Sequence, residues 1–576
     1  MKKVKTSDGY FVYRIKKDRQ YHLLADSVSY RNSIRDLLNT LSDLKFDSLI
    51  FLFGIDTGDY LPELKKVLCP KNQVIIFEPN LTIYRSFSND PGDNIKLVYY
   101  KEDVVKKIFE ESINLKNINN IYFFSFGNYS TVYKKEHDRL IEHLDWTIIK
   151  SASQVSLARR FKKVFIKNMI ANMKIIDQST PIHHYLFSNA GVPAIVVSGG
   201  PSLDQNIEVM KKHKDRLKDC FIITGSRTVD ALIKNGITPD LIVSVDPVDA
   251  NFDMMKEHLD LTVPLAFYEY SNRYLMKHYK GEKIFISLLL SHTVKGMEHL
   301  KAVYCGGSVS HACIDIAAML GCSPILLIGQ DLAYTDQKHH ADSATFLYDS
   351  TINYAPQTLA KDINGQWVGS TVTLDYFRKN LELYINQYKD HPFIRFINCS
   401  YGAEIKGAPH KELDEMLGHG DLSKKKVPFL PSHELTLDSE DIIKSLLEFL
   451  EDSIIKTEQG LELCETIRLE NETKSLVEVE EDDIDLQRIL YILHLVNSFE
   501  NHPYTSYLGG YYSEFLYEIK EEHNSMLAKD FEHLTSDLQY QANFFYEYFS
   551  KLHEILTEIR DTACSTVSEF YESHIV

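Results

Sequence analysis

The stretch that decides the fold is Ala194-Ile195-Val196-Val197-Ser198-Gly199-Gly200-Pro201-Ser202-Leu203-Asp204. An apolar, largely β-branched run leads directly into a glycine-rich turn, and an amphipathic segment from Asn206 to Leu217 follows. This order predicts a buried parallel strand, a tight turn and a helix. It also predicts backbone N–H groups and a helix N-terminus at the carboxyl edge of a sheet, where α/β proteins commonly bind the phosphate of a nucleotide.

The turn differs from both common phosphate-binding loops. No Gly-Lys-Ser/Thr follows it, and its glycines lack the Gly-x-Gly-x-x-Gly spacing. Taken alone, the turn is equally compatible with a plain connection between a strand and a helix. The segments that follow it therefore have to distinguish a ligand site from a structural turn.

Three later apolar runs also end in small, polar or acidic residues. They are residues 221–225 before Ser226 and Arg227, residues 241–245 before Asp246, and residues 324–328 before Gly329, Gln330 and Asp331. The carboxyl ends of parallel strands meet at one edge of the sheet, where open α/β sheets bind ligands. A single acid after a strand is usually a cap or turn residue, but several polar strand ends together predict a site.

The first part of the chain predicts a separate α/β unit. Ser48 to Gly58 is a strand with a glycine turn, Leu61 to Val67 is a helix, and the next strand ends in the acid Glu78. The pattern resembles the nucleoside-binding half of an S-adenosylmethionine-dependent methyltransferase, in which the acid holds a ribose. A Rossmann-like scaffold is the alternative, because the glycine turn is sparse and no methyl-transfer residues follow.

A length of 576 residues predicts several domains of typical size. We predict a Rossmann-like α/β domain in residues 1–150, a helical linker in 151–190, a central α/β domain in 191–430 and a helical region in 431–576. The last region contains few glycines or prolines, and the apolar spacing of Asp441–Ile455 and Asp485–Val496 predicts helices there.

Composition excludes several classes of protein. The net charge of −18 argues against nucleic-acid binding over the whole surface. The 8 cysteines are scattered without a Cys-x-x-Cys pair, which favours reduced thiols over a zinc site or disulfides. No signal peptide and no apolar run of membrane-spanning length is evident. The chain is therefore predicted to be cytoplasmic.

Several motifs together resemble the central domain of the motility-associated factor (Maf) proteins, which are bacterial flagellin glycosyltransferases. These motifs are Ser198–Asp204, Gly236–Asp240 leading to Asp246, Gly329–Asp336, Ile397–Gly402 and Ile405–Gly407. The resemblance implies a sialyltransferase-like central domain, a variant of the GT-A fold, between an N-terminal α/β domain and a helical C-terminal region. It also implies a cytidine monophosphate (CMP) sugar as donor.

The resemblance assigns roles to particular residues. The turn would approach the nucleotide phosphate through backbone N–H groups, Ser226 and Arg227 would lie near the donor, and Asp246 would accept hydrogen bonds from cytosine or ribose. The sialyltransferases commonly have asparagine at the Asp246 position. The implied set of nucleotide-sugar-binding residues is Ser198, Gly199, Gly200, Pro201, Ser202, Ser226, Arg227, Asp246, Ser308 and Gln330.

The implied catalytic residues are Asp331, Tyr334 and His340. Tyr334 would donate a hydrogen bond to the departing phosphate, with Tyr348 as the alternative because the register differs by about one residue from the sialyltransferases. His340, next to His339, would accept the proton of the acceptor hydroxyl, because the pKa of histidine lies near neutrality. His311 is a second candidate for this base.

A divalent metal is not expected. Asp246 and Asp249 have a spacing found in metal-dependent sugar transferases, but the same spacing fits a turn and a helix start. A monophosphate leaving group carries less charge than a diphosphate, and hydrogen bonds can neutralise it. The resemblance therefore implies metal-independent transfer.

The resemblance implies an inverting enzyme that moves a nonulosonic acid of the pseudaminic or legionaminic type from its CMP donor to serine or threonine of flagellin, as flagellum assembly and motility require. One alternative is a pterin pyrophosphokinase-like enzyme, because the archaeal enzymes of this kind share the core motifs. Those enzymes are much shorter, so they match only the centre of this chain. The other is a non-catalytic flagellin-binding scaffold or chaperone. Loss of the donor-binding groups would favour the scaffold, whereas Ser198–Asp204, Asp246, Gln330 and Asp331 are intact.

Overall fold

The computed structural model describes residues 1–87, 92, 94–114, 117–287, 300–346, 355–419, 425–431, 438–470, 475–477, 483–523 and 526–571. All the structural statements below refer to these residues.

The strands are short and most of them alternate with helices. In chain order they are β1 (Lys2–Lys5), β2 (Phe11–Lys17), β3 (Gln20–Leu23), β4 (Leu49–Phe53), β5 (Gln73–Glu78), β6 (Ile95–Tyr99), β7 (Ile121–Ser125), β8 (Thr180–Pro181), β9 (Ala194–Val197), β10 (Phe221–Gly225), β11 (Leu241–Ser244), β12 (Leu265–Phe267), β13 (Lys283–Phe285), β14 (Ile325–Ile328), β15 (Thr358–Lys361), β16 (Trp367–Ser370) and β17 (Phe396–Asn398).

The helices are longest in the region before β8 and at the C-terminal end. They are α1 (Tyr30–Thr40), α2 (Leu61–Val67), α3 (Leu81–Ser86), α4 (Glu102–Ser112), α5 (Tyr129–Val132), α6 (Lys134–Asp177), α7 (Leu203–Lys212), α8 (Lys214–Leu217), α9 (Ser226–Lys234), α10 (Asp249–Met255), α11 (Arg273–His278), α12 (Val309–Met319), α13 (Val372–Asn386), α14 (Leu413–His419), α15 (Ser439–Glu470), α16 (Ile484–Glu500), α17 (Gly509–His523), α18 (Phe531–Ser536) and α19 (Leu538–Phe570).

The chain divides into two compact units. The first comprises Met1–Lys162 with Phe449–Arg560, and the second comprises Lys163–Glu448 with Asp561–Val576. These units group the chain differently from the predicted division at residues 150, 190 and 430. The predicted fold class, mixed α/β with parallel sheets and a helical C-terminal region, is confirmed.

The second unit contains an eight-stranded sheet in the order β17-β14-β9-β10-β11-β12-β13-β8. Every neighbouring pair is parallel. β9, β10, β11 and β14 are buried along their whole length, as their uninterrupted apolar sequences require in a sheet covered on both faces. Consecutive strands from β9 to β13 run to one side of β9, whereas β14 lies on its other side. The strand order therefore reverses between β9 and β14, where such sheets bind ligands.

Two asparagines on α6 hold the loops that follow β11 and β12. Asn168 donates from Nδ2 to the carbonyl oxygens of Pro247 and Tyr270, at 2.9 Å each. Asn172, one turn further on, donates to the carbonyl oxygens of Glu269 at 3.1 Å and Ser271 at 2.7 Å. Buried backbone carbonyls need such partners. These contacts fix the loop that begins at Asp246.

The first unit contains a parallel sheet in the order β6-β5-β4-β7 and an antiparallel sheet β1-β2-β3. The acid predicted to hold a ribose, Glu78, is fully buried. Its carboxylate accepts hydrogen bonds from the N–H groups of Ile55 and Asn80, at 3.1 and 2.7 Å, and from the hydroxyl of Tyr129 at 2.8 Å. A side chain at Gly54 would overlap the Tyr129 ring. Protein groups thus occupy the nucleoside position, and the unit has the features of a scaffold.

None of the helices in the described ranges has both the length and the apolar character needed to cross a bilayer. All 8 cysteines lie in described parts of the chain, and none of them forms a disulfide with another described residue.

Two buried carboxyls make the first unit sensitive to pH. Burial raises the pKa of Asp56 and of Glu78 to about 7 each. Because both values lie above the ordinary range near about 4, the folded chain binds more protons than the unfolded chain between about pH 4 and 7. The contribution of these two protonated carboxyls to the free energy of unfolding is therefore complete below about pH 4 and is lost as pH rises through about 7.

We therefore expect the Tm of Asp56→Asn, compared with that of the wild type, to rise as pH increases from 5 to 8. Each kcal/mol of difference in the free energy of unfolding corresponds to roughly 2–4 °C in Tm. Thermal unfolding followed by fluorescence across this range measures the difference. Asp59→Asn, at a neighbouring exposed acid, serves as the control and should follow the wild type. A Tm difference between Asp56→Asn and wild type that does not change with pH would contradict the prediction.

Candidate functional site

A cleft of about 530 Å³ opens at the carboxyl ends of β9, β10, β11 and β14. The turn after β9, the starts of α9, α12 and α13, the loop between β11 and α10, and the turn after β14 form its walls. Of the residues predicted from sequence, those that line it are Ser198, Gly199, Gly200, Ser226, Arg227, Asp246, Ser308, Gln330, Asp331, His339 and His340. Pro201, Ser202 and Tyr334 are outside this lining.

The turn after β9 packs tightly against the turn after β14. Gly200 donates its N–H to the Gly329 carbonyl oxygen at 2.7 Å, and Ser198 donates its Oγ–H to Gln330 Oε1 at 2.6 Å. A side chain at Gly200 would overlap both the Gly329 carbonyl and the Asp331 carboxylate. Gly329 has φ +59°, and a side chain there would overlap the Ser198 carbonyl. The glycines in both turns are therefore required for this approach.

The predicted backbone cradle for a phosphate is largely used within the protein. Besides the Gly200 N–H, the Ser202 N–H is donated to Asp331 at 3.2 Å, and Pro201 has no N–H. Within the described residues, Gly199 alone in this turn keeps an N–H without an acceptor. The turn can therefore supply one backbone donor to an anion, and the other donors must come from side chains or helix starts.

The buried Asp331 carboxylate links the turn after β14 to the turn after β9. Its carboxylate accepts hydrogen bonds from Ser202 Oγ and Thr335 Oγ1, at 2.8 Å each, and the residue is 1% exposed. Burial raises the pKa of its carboxyl, which the bonds from Ser202 and Thr335 lower in part. These contacts make Asp331 a positioning residue for the turn after β9, and its predicted catalytic role stays a prediction.

Arg227 provides a permanent positive charge in the cleft lining. It follows Ser226 in the first turn of α9, and its Nη1 donates to the Ala344 carbonyl at 3.1 Å. Its guanidinium lies 5.5 Å from the centre of the Phe346 ring. A side chain at Gly199 would come within 3.1 Å of Arg227 Cδ. Arg227 therefore lies against the glycine turn, at the end of the cleft suited to an anion.

Asp246 is exposed to the cleft although protein atoms surround it. That surrounding protein raises the pKa of its carboxyl, and Arg227 opposes the shift. Asp249, the second acid of the possible metal pair, accepts a hydrogen bond from Asn272 Nδ2 at 2.9 Å. In the described ranges, His, Cys, Asp and Glu side chains form no group of three or more that could hold a metal ion.

His340 contacts the glycine turn directly. Its Nδ1 lies 3.3 Å from the Gly199 carbonyl oxygen. A carbonyl can only accept, so this contact assigns the proton to Nδ1 and leaves Nε2 as the basic nitrogen. Asp204 holds the following loop, because its carboxylate accepts from the N–H groups of Asp342 at 2.9 Å and Ser343 at 3.3 Å. The His340 loop is thereby fixed to the start of α7.

The other predicted catalytic groups lie elsewhere. The Tyr334 ring packs edge-on against His339 at 5.6 Å, outside the cleft lining, and its buried hydroxyl has no hydrogen-bond partner among the described residues. Tyr348 lies outside the described residues. His311 is fully buried within α12, and burial lowers its pKa to about 4, so it lacks the access that a base requires.

Two parts of the cleft were missed in the sequence. One is the wall formed by Gln357, Thr371, Thr373, Leu374 and Phe377 at the start of α13. No strand-end motif marks these residues, since they come from a hairpin and a helix far along the chain. The other is Asn251 on α10. Asn251 could have been predicted from the sequence, because it lies only five residues after the strand-end acid Asp246.

The fold and the cleft define the class of protein: an α/β protein with a cleft at the switch point of a parallel sheet. A family model described as 6-hydroxymethylpterin diphosphokinase MptE-like matches residues 167–337. Over its full length, the chain resembles the solved structure of the Maf glycosyltransferase from Magnetospirillum magneticum AMB-1. The TM-score is 0.58 at 14% identity, covering 100% of this chain and 93% of that one. No curated protein matches. The predicted resemblance to the motility-associated proteins is confirmed at the level of the fold.

Gly200→Ala tests the contact between the two turns. We expect the added methyl to destabilise the second unit by about 1–3 kcal/mol, as overpacking of a close-packed site generally does. Gly418→Ala is the control, because a side chain there would meet only an ordinary contact of 3.7 Å to His213. Denaturant or thermal unfolding measures both variants. Equal stability of the two variants would contradict the packing described.

Proposed function

We propose that this chain is an inverting glycosyltransferase that transfers a nonulosonic acid, of the pseudaminic or legionaminic type, from a CMP-activated donor to serine or threonine of flagellin. The observation that carries the proposal is the cleft, which places a cationic group and a basic imidazole beside one glycine turn at the sheet's switch point. The whole-chain similarity to the Maf glycosyltransferase supports the class of reaction.

The anion end of the cleft suits the leaving group. Arg227, the Gly199 N–H and the starts of α9 and α12 supply positive potential and donors there. As the bond from the sugar to the phosphate breaks, negative charge grows on the phosphate while the sugar becomes oxocarbenium-like. Arg227 takes the place that the sequence assigned to Tyr334, because it lines the cleft and Tyr334 does not.

His340 is the proposed general base. With its Nδ1 proton held by the Gly199 carbonyl, Nε2 accepts the proton of the attacking hydroxyl as that oxygen bonds to the anomeric carbon. A single displacement of this kind inverts the anomeric centre. The nucleotide departs as CMP, so neither a covalent intermediate nor a metal is required in the proposal.

The proposed acceptor and setting come from the motif resemblance to the flagellin glycosyltransferases. A protein acceptor, flagellin, would present its hydroxyl to His340 Nε2 in the cleft. The reaction would take place in the cytoplasm, before the flagellum is assembled. Modification of flagellin would then make the enzyme necessary for motility.

A pterin pyrophosphokinase-like activity is the second candidate, because the family model over residues 167–337 carries that description. Such an enzyme would bind ATP with magnesium and transfer its diphosphate to a hydroxymethyl group. Its triphosphate demands more cations than the described lining offers, where Arg227 is the permanently charged group. We therefore rank this candidate second.

Calorimetric titration with CMP and ATP, each with and without Mg²⁺, separates the two candidates. We expect CMP to bind without metal and Asp246→Ala to weaken that binding by about ten-fold or more, because a charged acceptor is lost. Asp249→Ala removes the neighbouring acid that contacts Asn272 instead, and it should bind CMP like the wild type. Binding of ATP only with Mg²⁺ would move the second candidate to first place, and a protein that binds neither would favour a scaffold.

His340→Ala tests the base. We expect it to lower the rate of transfer from a CMP-nonulosonate to purified flagellin by about 10²–10⁴-fold, the usual contribution of a general base. His339→Ala, at the adjacent histidine, should have a much smaller effect. CMP affinity should change little in His340→Ala. Full activity in His340→Ala would remove this residue from the mechanism.

A further inference from the structure

Two buried polar atoms at the cleft have no partner within the protein. Ser226 is 4% exposed and Asn251 is 1% exposed, and both line the cleft. Across the described part of the chain, neither Ser226 Oγ nor Asn251 Oδ1 has a hydrogen-bond partner. Leaving a buried polar atom unpaired costs stability, and folded proteins rarely do so without a reason. Their position indicates that a bound ligand satisfies them.

The orientation of the Asn251 amide follows from its contacts. Its Nδ2 donates to Ser244 Oγ at 2.6 Å and to the Asp246 carbonyl oxygen at 3.3 Å. Because that carbonyl can only accept, the amide nitrogen must lie on its side. Oδ1 is therefore the unpaired atom, and it can only accept a hydrogen bond. The ligand must present an N–H or O–H group to it.

Apolar residues of the Asn251 segment also line the cleft. They are Val248, Ala250 and Met254. A single buried acceptor beside apolar lining residues is an arrangement that orients a ligand within a pocket. Asp246, by contrast, is exposed to the cleft and suits hydroxyl groups of a ribose.

The cleft therefore has two chemically different ends. Arg227 lies against the glycine turn after β9 and suits an anion. Asp246 and Asn251 follow β11, which is separated from β9 by β10, and they present acceptors. Ser226 follows β10 and lies between these ends in the strand order. Along the strand ends, the cleft thus offers a site for an anion at one end and acceptors for hydroxyl and amino groups at the other. A nucleoside monophosphate carries these groups.

We infer that Asn251 determines nucleobase specificity: its Oδ1 accepts a hydrogen bond from the exocyclic amino group of a cytosine packed against Val248, Ala250 and Met254. Uracil presents a carbonyl oxygen at the same position, and two acceptors facing each other repel. The inference rests on the proposed function in that a CMP-activated donor supplies the base. It assigns the contact with the base to Asn251 and leaves the ribose to Asp246, whereas the motif resemblance left Asp246 open to either.

Calorimetric titration of the full-length wild type with CMP, UMP, 2′-deoxy-CMP and N4,N4-dimethyl-CMP tests the inference. We expect wild type to prefer CMP over UMP and over the dimethyl analogue by about ten-fold or more, since a buried acceptor would be left unpaired. Asn251→Ala should bind CMP and UMP within about two-fold of each other. Ser244→Ala removes the anchor of Nδ2 but keeps Oδ1, so it should retain a preference for CMP.

Each contrary result has a distinct meaning. A weaker affinity for both CMP and UMP in Asn251→Ala, with their ratio unchanged, would make Asn251 a positioning residue and overturn the inference. A penalty for 2′-deoxy-CMP in wild type that vanishes in Asn251→Ala would place a ribose hydroxyl, and not the base, at Oδ1. If Asn251→Ala does not fold, the ratio of CMP to UMP affinity in Asp246→Ala decides: a retained preference for CMP keeps the amino group at Asn251, and a lost preference overturns the inference. CMP binding without base preference overturns only the inference, whereas no nucleotide binding overturns the proposed function as well.

Discussion

The close contact between the turn after β9 and the turn after β14 is the constraint on which the rest of the site depends. Gly200 and Gly329 allow the two backbones to meet, and the buried Asp331 carboxylate then holds Ser202 in place. Carboxylates are expensive to bury, so this one is satisfied by three short contacts from Ser202 and Thr335. The same contact positions Gly199, whose carbonyl orients His340 and whose missing side chain admits Arg227.

This arrangement changes how the glycine turn works. In the common phosphate loops, consecutive backbone N–H groups point at the ligand. Here most of them hold the protein together, and the turn acts instead as a platform against which Arg227 and His340 lie in the cleft. In the proposed function, one guanidinium, the Gly199 N–H and the starts of two helices would balance the smaller charge of a monophosphate. The other end of the cleft, beside α10, carries hydrogen-bond acceptors, so the two ends differ in chemistry.

The first unit shows the opposite outcome of a similar sequence pattern. Its strand, glycine turn and acid resemble a nucleoside site, yet Tyr129 fills the space beside Gly54 and donates its hydroxyl to Glu78. The acid serves the local backbone and lies out of reach of any ligand. A pattern of strand, glycine and acid thus defines a position in the fold, and the neighbouring side chains decide whether that position is open.

The sequence by itself determined the buried strands, their order of polar ends and the glycine turns, because uninterrupted apolar runs and glycines report directly on burial and close backbone approach. It therefore predicted part of the cleft lining, including Arg227, Asp246 and His340. Only the tertiary structure decided which polar groups remain open. Burial closes His311 to the cleft, and hydrogen bonds within the protein occupy the carboxylates of Asp331 and Glu78. The Tyr334 ring packs against His339, and the fold brings the start of α13 and Asn251 to the cleft. Such outcomes depend on contacts between segments far apart in the chain, which local spacing does not encode.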